Sequence, residues 1–344
     1  MRVVKIGKKN WEEGLNSLRD DFRLYGPVKE DQTASFKQLE ESEYPDLSIR
    51  NTHLSAKSVV YPQTQKMFAY SLDETSDDHH IMKPVEMDDT TQVLIAARPC
   101  DMAAFQIEKR NFDSPEYRDP FWCDAFENTV MIGLACSNPS HTCFCTSTGS
   151  GPFNEEGMDI LMAEDGSDLL LKSITEKGEA LMDRAGWDTP GNPEAFAILG
   201  KEAEEKITSS VETDNIEKLP SKELFDAPFW DDLAFACINC GTCTFSCPTC
   251  WCFDIQDENT KLSGTRMRNW DSCMSPLFTL EGSGHNPRGI KHQRVRQRFM
   301  HKLKYYAEKY NSGIQCVGCG RCIQLCPVNI DIRNVCKTMN DYRP

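Results

Sequence analysis

Apolar positions recur at two periods along the first 220 residues. Trp11, Leu15, Leu18 and Phe22 fall at i, i+4, i+7 and i+11. That spacing predicts an amphipathic helix capped by Asn10 and stopped at Tyr25-Gly26-Pro27. The polar stretch to about Asn51 shows no clear period, and residues 71–90 read as an acidic loop. Two apolar runs, QVLIAARPCD (92–101) and TVMIGLACSNPSHTCFC (129–145), predict strands that end in cysteine loops. A short helix is expected after the first, from Met102 to about Arg110. The alternation in 158–173 predicts a hairpin turning at Asp165-Gly166. Ser173 and Glu176 suit a capping box for a helix to about Ala185, and a further helix starts at Asn192-Pro193 and runs to about Ser209. From Ser221 the β-type apolar runs disappear. The strong period beyond that point lies in 289–310, where Val295, Phe299, Leu303, Tyr306 and Tyr310 share one helical face. The expected fold is therefore α+β: an N-terminal α/β domain over residues 1–220, followed by a mainly helical domain over 221–344.

Charge sharpens this division. The chain carries a net charge of −15, yet residues 231–344 hold 15 basic and 10 acidic side chains. The first 230 residues therefore carry the whole acidic excess. Arg294, Arg296, Arg298, Lys302 and Lys304 surround the apolar face of the 289–310 helix. Nucleic acid is one explanation for such a basic stretch, but no aromatic or motif signature for base contact accompanies it. No apolar run approaches the roughly 20 residues of a membrane-spanning helix, so no membrane insertion is expected. The opening residues hold no apolar stretch suited to a secretory signal, which predicts a cytoplasmic location.

Seventeen cysteines change the picture most. Cys237-x2-Cys240-x2-Cys243-x3-Cys247-Pro248 is repeated as Cys316-x2-Cys319-x2-Cys322-x3-Cys326-Pro327. This is the spacing of bacterial two-cluster ferredoxins. Two-residue gaps let three thiolates wrap three corners of one cubane, while the fourth cysteine points away to the other cluster. The assignment is Cys237, Cys240, Cys243 and Cys326 to one 4Fe-4S cluster, and Cys316, Cys319, Cys322 and Cys247 to a second. Zinc is the competing reading. It needs two Cys-x-x-Cys pairs and neither the third cysteine nor the trailing Cys-Pro. The 68 residues between Cys247 and Cys316 exceed the connection of a compact ferredoxin and favour a helical, ferredoxin-like two-cluster domain. Thiolate-ligated clusters are anionic, so the basic helix is expected to offset their charge.

Cys100 and Cys136 end the two predicted strands, and parallel neighbours would place both at one sheet edge. Cys143 and Cys145 follow in a loop. These four thiols either converge on a third 4Fe-4S cluster or remain free. Cys250, Cys252 and Cys273 could supply ligands for an extra site, line the first cluster or pack as small apolar residues; three fall one short of a ligand set, so packing or support of neighbouring ligands is the default reading. Cys123 and Cys336 are isolated and read as free thiols. His79-His80 is read as solvated. No nucleotide or flavin pattern occurs, and no nucleophile has a matching base.

The motifs RPCD (98–101), GLACSNPSHTCFCTSTGSGP (133–152), CINCGTCTFSCPTCWCFD (237–254), RNWDSC (268–273), GHNPRG (284–289), RVRQRFMHKLKY (294–305) and CVGCGRCIQLCPVNIDI (316–332) together make a specific resemblance. The chain resembles the iron-sulfur beta subunit of soluble sulfhydrogenases and the related iron-sulfur subunit of anaerobic sulfite reductase. The resemblance covers most of the chain from Arg98 onward and the first 90 residues only in outline. It implies an electron-transfer subunit of a cytoplasmic, anaerobic oxidoreductase complex. Its partners would be a flavoprotein subunit binding FAD and NAD(P), and a catalytic subunit of hydrogenase, sulfite reductase or heterodisulfide-reductase type. No flavin is expected in this chain. Because Cys100, Cys136, Cys143 and Cys145 all lie in the matching stretches, the resemblance also strengthens the third cluster. The alternative is a catalytic subunit that reduces a sulfur compound or disulfide at an open cluster near Cys250, Cys252 and Cys273.

Overall fold

The computed structural model describes residues Met1–Pro344 as an α+β protein with two sheets. Seven strands form the larger, mixed sheet: β1 (Val3–Gly7), β2 (Arg23–Glu30), β3 (Thr33–Gln38), β6 (Gln92–Ala97), β7 (Thr129–Leu134), β8 (Ile160–Asp165) and β9 (Asp168–Ser173). Their order is β1-β9-β8-β7-β6-β2-β3. The central strands β2, β6, β7 and β8 are parallel, and antiparallel strands close both edges. Along β6, Val93 and Ile95 join one apolar core with Leu15 and Trp187. Leu94 and Ala97 join another with Met102, Phe105 and Trp122. Burial on both faces explains why this strand reads as a continuous apolar run.

A smaller antiparallel sheet has the order β10-β11-β4-β5, from β4 (Thr64–Ser71), β5 (Lys83–Pro84), β10 (Phe253–Asn259) and β11 (Ser263–Trp270). Strands from both sides of Ser221 pair here, with Gly264 opposite Tyr70 and Asn269 opposite Thr64. The C-terminal region is thus not free of strands. The β10 sequence FDIQDEN is almost wholly exposed and offers no apolar alternation to read. The helix Asp214–Lys218 also buries Ile216 in the C-terminal core beside Trp230, Phe299 and Met339.

Several local expectations shift. The first helix spans Lys8–Leu18 with Gly7, not Asn10, at its N-cap, and Tyr25-Gly26-Pro27 lies inside β2. Pairing with β3 and β6 outweighs the turn preference of Gly-Pro there. The helix Glu176–Arg184 is capped by Thr175, whose hydroxyl accepts from Gly178 N–H. Ser173 instead ends β9 and accepts from Arg2 N–H. The helix expected from Asn192 spans Glu194–Glu204. The hairpin forms as read, with Asp165 opposite Asp168.

Candidate metal centres

Both cysteine repeats adopt the same backbone course. Asn239 and Gly241 in the first, and Gly318 and Gly320 in the second, are left-handed, with φ of 58° and 76° against 62° and 75°. A helical turn follows each, Thr242–Phe245 and Arg321–Gln324. Two left-handed turns within five residues fold the chain back on itself, which gathers three thiols on one side. Backbone N–H groups face the sulfurs: Asn239 N lies 3.4 Å from Cys237 Sγ and Ile330 N 3.2 Å from Cys326 Sγ. Such donors favour the thiolate.

The thiols line two cavities. Cys237, Cys240, Cys243 and Cys326 line one, together with Cys322, Met274, Val295 and Arg298. Cys247, Cys316, Cys319 and Cys322 line the other, with Phe144, Arg298 and Lys302. The first cavity takes three thiols from the first repeat and two, Cys326 and Cys322, from the second; the other takes three from the second repeat and Cys247 from the first. No three His, Cys, Asp or Glu side chains converge tightly enough to chelate one ion. Thiols spread around a cavity wall suit a cubane, whose four irons each take one sulfur. Burial pushes the Cys316 thiol up to about 11, against the pull of the Lys302 ammonium and the Gly318 N–H. Burying several thiolates together is costly unless a cation compensates them.

Part of that cationic charge comes from the 289–310 segment. It forms a helix over Lys291–Met300, a π-helical stretch over His301–Tyr305 and a last helical turn over Tyr306–Tyr310. Val295, Phe299, Leu303 and Tyr306 are buried as expected. The unexpected feature is a second buried row at i, i+4 and i+8: Arg294, Arg298 and Lys302. Arg294 reaches the first repeat, where the Asn239 amide oxygen, in its better-satisfied orientation, accepts from Nε and Nη2 at 2.6 Å each. Lys302 Nζ donates to Thr249 Oγ1 (2.7 Å) and to the Gln315 carbonyl (2.8 Å). Arg298 is 3% exposed; its Nη1 lies 3.6 Å from Cys250 Sγ, while Nε and Nη2 have no partner. A buried guanidinium with unanswered donors is strongly unfavourable unless an anionic group stands before it. Anionic iron-sulfur clusters in the two cavities fit that requirement.

The stretches that carry the third set lie against the second repeat. Parallel β6 and β7 end side by side, with Ala97 opposite Gly133. Cys136 follows β7, but Cys100 lies in the first turn of the helix Pro99–Phe112 and not at the strand end. Pro99 suits that first turn and starts the helix early. The neighbours that act on Cys145 include Cys143 and Cys136, and those that act on Cys100 include Cys145 and Cys319. Burial, then the adjacent thiols, push Cys145 up to about 12. Arg98 grips the carbonyls of Ile49 (2.7 Å), Arg50 (3.0 Å) and Ala135 (2.8 Å), tying the two strand ends together. Asp101 forms a fully buried bidentate pair with Arg321 of the second repeat, at 2.7 and 2.8 Å. Phe144 N–H donates to the Gly318 carbonyl (2.9 Å). A Cβ at Gly318 would lie 2.5 Å from Cys145 N, so only glycine permits this approach.

The remaining thiols frame these sites. Cys250 presents its carbonyl to the buried Lys57 ammonium at 2.5 Å. Cys252 and Cys273 flank the end of the β10–β11 pair, where Asp271 N–H donates to the Cys252 carbonyl (2.9 Å). The adjacent Ser272 hydroxyl bonds Thr244 of the first repeat (2.7 Å). Cys123 and Cys336 are buried in apolar cores. GHNPRG is internally satisfied: Asn286 accepts from Thr279 Oγ1 and Arg288 N–H and donates to the Pro276 carbonyl. Sequence reasoning missed Lys57, Asp101 and Arg321 as parts of the assembly. Arg321 lies within a cysteine repeat, which was a usable signal; Lys57 carried none.

The fold and thiol arrangement define an iron-sulfur protein class, and the family comparison agrees: a model of the 4Fe-4S dicluster domain matches residues 236–330. Across the whole chain, sequence identity is 30% over 348 aligned positions to the sulfhydrogenase 2 subunit beta of Pyrococcus furiosus, covering 96% of each protein. The chain belongs to that beta-subunit family. No solved structure matches it. No helix is long and apolar enough to cross a membrane.

Proposed function

We propose that this chain is the electron-transfer subunit of a multi-subunit oxidoreductase. In this reading, Cys237, Cys240, Cys243 and Cys326 would hold one 4Fe-4S cluster, and Cys316, Cys319, Cys322 and Cys247 a second. Cys100, Cys136, Cys143 and Cys145 would hold a third in the N-terminal domain. Each cluster supplies a reversible one-electron carrier when bound. The observation that carries the reading is the pair of cavities, one lined by Cys237, Cys240 and Cys243 with Cys326 and Cys322 of the other repeat, the other by Cys316, Cys319 and Cys322 with Cys247, and both by Arg298 with its unsatisfied donors.

The protein groups have separable tasks. Backbone N–H groups hold the thiolates, and Arg294, Arg298 and Lys302 offset negative charge. The Arg321–Asp101 pair fixes the second repeat against the third set. Cys240 is exposed beside exposed Ile238 and Phe235, so a partner subunit can approach the first site. The partners inferred from the resemblance are a flavoprotein that binds FAD and NAD(P), and a catalytic subunit of hydrogenase, sulfite reductase or heterodisulfide-reductase type. The location inferred is an anaerobic cytoplasm.

Iron and acid-labile sulfide per chain, with zinc alongside, test this on anaerobically purified protein. About twelve iron and twelve sulfide, four per cubane, support all three sites. About eight remove the third site and leave the conduit to the C-terminal region. Zinc without sulfide overturns the reading. Cys240→Ala should lose or convert one cluster while the N-terminal domain stays folded; unchanged electron transfer through the complex would remove that cluster from the path.

A further inference from the structure

Arg298 stands out among the buried cations. It is the basic side chain that lines both cavities; Lys302 lines only the second. Lys302 spends its donors on Thr249 Oγ1 and the Gln315 carbonyl. Arg298 keeps two donors free, and its Nη1 touches only Cys250 Sγ, a thiol outside both assigned ligand sets. Cys322, a thiol of the second set, lies on both linings beside it. The helix holds the guanidinium firmly: Val295 and Phe299 pack in the core, and Arg294 is tied to the Arg288 carbonyl (2.8 Å).

We infer that Arg298 is the shared potential-setting residue of the two C-terminal clusters. A cation fixed between two anionic redox sites stabilises an added electron on either one. Low dielectric around a side chain 3% exposed prevents water from screening the effect. Both reduction potentials therefore sit higher than the thiolate ligation alone would set them, and they move together when this charge changes. Lys302 acts on the second cluster only. Arg298 is a positioning residue here, since it exchanges neither electrons nor protons.

This inference rests on the two-cluster reading, which iron and sulfide analysis of the unaltered chain tests separately. The experiment is an anaerobic redox titration of the purified chain, followed by electron paramagnetic resonance, on the unaltered protein and on Arg298→Gln, Arg298→Lys and Lys302→Gln. Arg298→Gln should shift both reduction equilibria about tenfold toward the oxidised state, or about 59 mV for a one-electron couple. Lys302→Gln should lower one potential and leave the other in place, which identifies the second cluster. Arg298→Lys keeps a charge but loses the guanidinium fork, and one ammonium serves only one cavity. Its two potentials should separate. Should Arg298→Gln fail to assemble, the other two variants still decide. Clusters present with unchanged potentials in Arg298→Lys, or both potentials moving equally in Lys302→Gln, overturn the inference, as does an Arg298→Gln protein in which only one potential falls.

Discussion

Residues 237–248 and 316–327 share a cysteine spacing, two left-handed turns and a following helical turn, yet their surroundings differ. The first repeat lies at the surface: Cys240 is exposed, Ile238 is 62% exposed, and Asn239 is steadied by Arg294. The second is enclosed. Cys319 is buried, Arg321 pairs with Asp101, and the loop 142–145 covers Gly318 and Gly320. Equal cysteine spacing therefore sets an equal local backbone course but not equal solvation. The enclosed site suits an internal relay and the open one a terminal station. The difference comes from the loop 142–145 and from Asp101 of the Pro99–Phe112 helix, which pack onto the second repeat.

The comparison breaks most severely at the buried ion pair. Arg321→Ala strands the Asp101 carboxylate, with an expected loss of about 3–5 kcal/mol, read by chemical denaturation of the assembled chain. Arg294→Ala, on the open repeat, should cost much less. Gly318→Ala comes next. A left-handed φ and a Cβ 2.5 Å from Cys145 N should together cost about 1–3 kcal/mol. The matching change in the open repeat, Asn239→Gly, should alter stability by less than about 1 kcal/mol, because it relieves a left-handed residue while losing the Arg294 contact. Equal effects of the two changes would show that the repeats are equally constrained.

A pH dependence sharpens the contrast on the enclosed side. Glu108 is fully buried, and burial pushes its carboxyl up to about 8, against the pull of Lys57. Between its ordinary value of 4.5 and 8 the folded chain keeps a proton that the unfolded chain releases. Stability should therefore fall as pH rises through this window, by at most about 1.4 kcal/mol per pH unit. Glu108→Gln should flatten the fall. An unchanged pH profile in that variant would assign the dependence to other groups.

The parts of the fold that could be read were those with local causes. The hairpin at Asp165, the continuous β6 run and the apolar row Val295-Phe299-Leu303 each follow from spacing within a few residues. The first helix boundary at Gly7 and the Thr175 cap were displaced because several nearby residues can cap and only the final chain direction selects one. The β10–β11 pair was missed because its outward face is polar and its partner, β4, lies almost 200 residues earlier in the chain. Among the basic residues, sequence showed a ring of charge around a helix. It did not show that Arg294, Arg298, Lys302 and Lys304 are buried while Arg296 is only half-buried, stacked 3.5 Å over Phe225.

By itself the sequence determined the two thiol repeats, their spacing, and the surplus of positive charge near them. Those depend on covalent spacing and composition, which no packing can alter. Tertiary structure decided which repeat is enclosed, which cations are buried against the thiols, and how Cys100 and Cys145 meet the second repeat. Each of those depends on groups far apart in the chain, Asp101 with Arg321 and Phe144 with Gly318. A buried charge or a close backbone approach becomes tolerable only when its distant partner arrives.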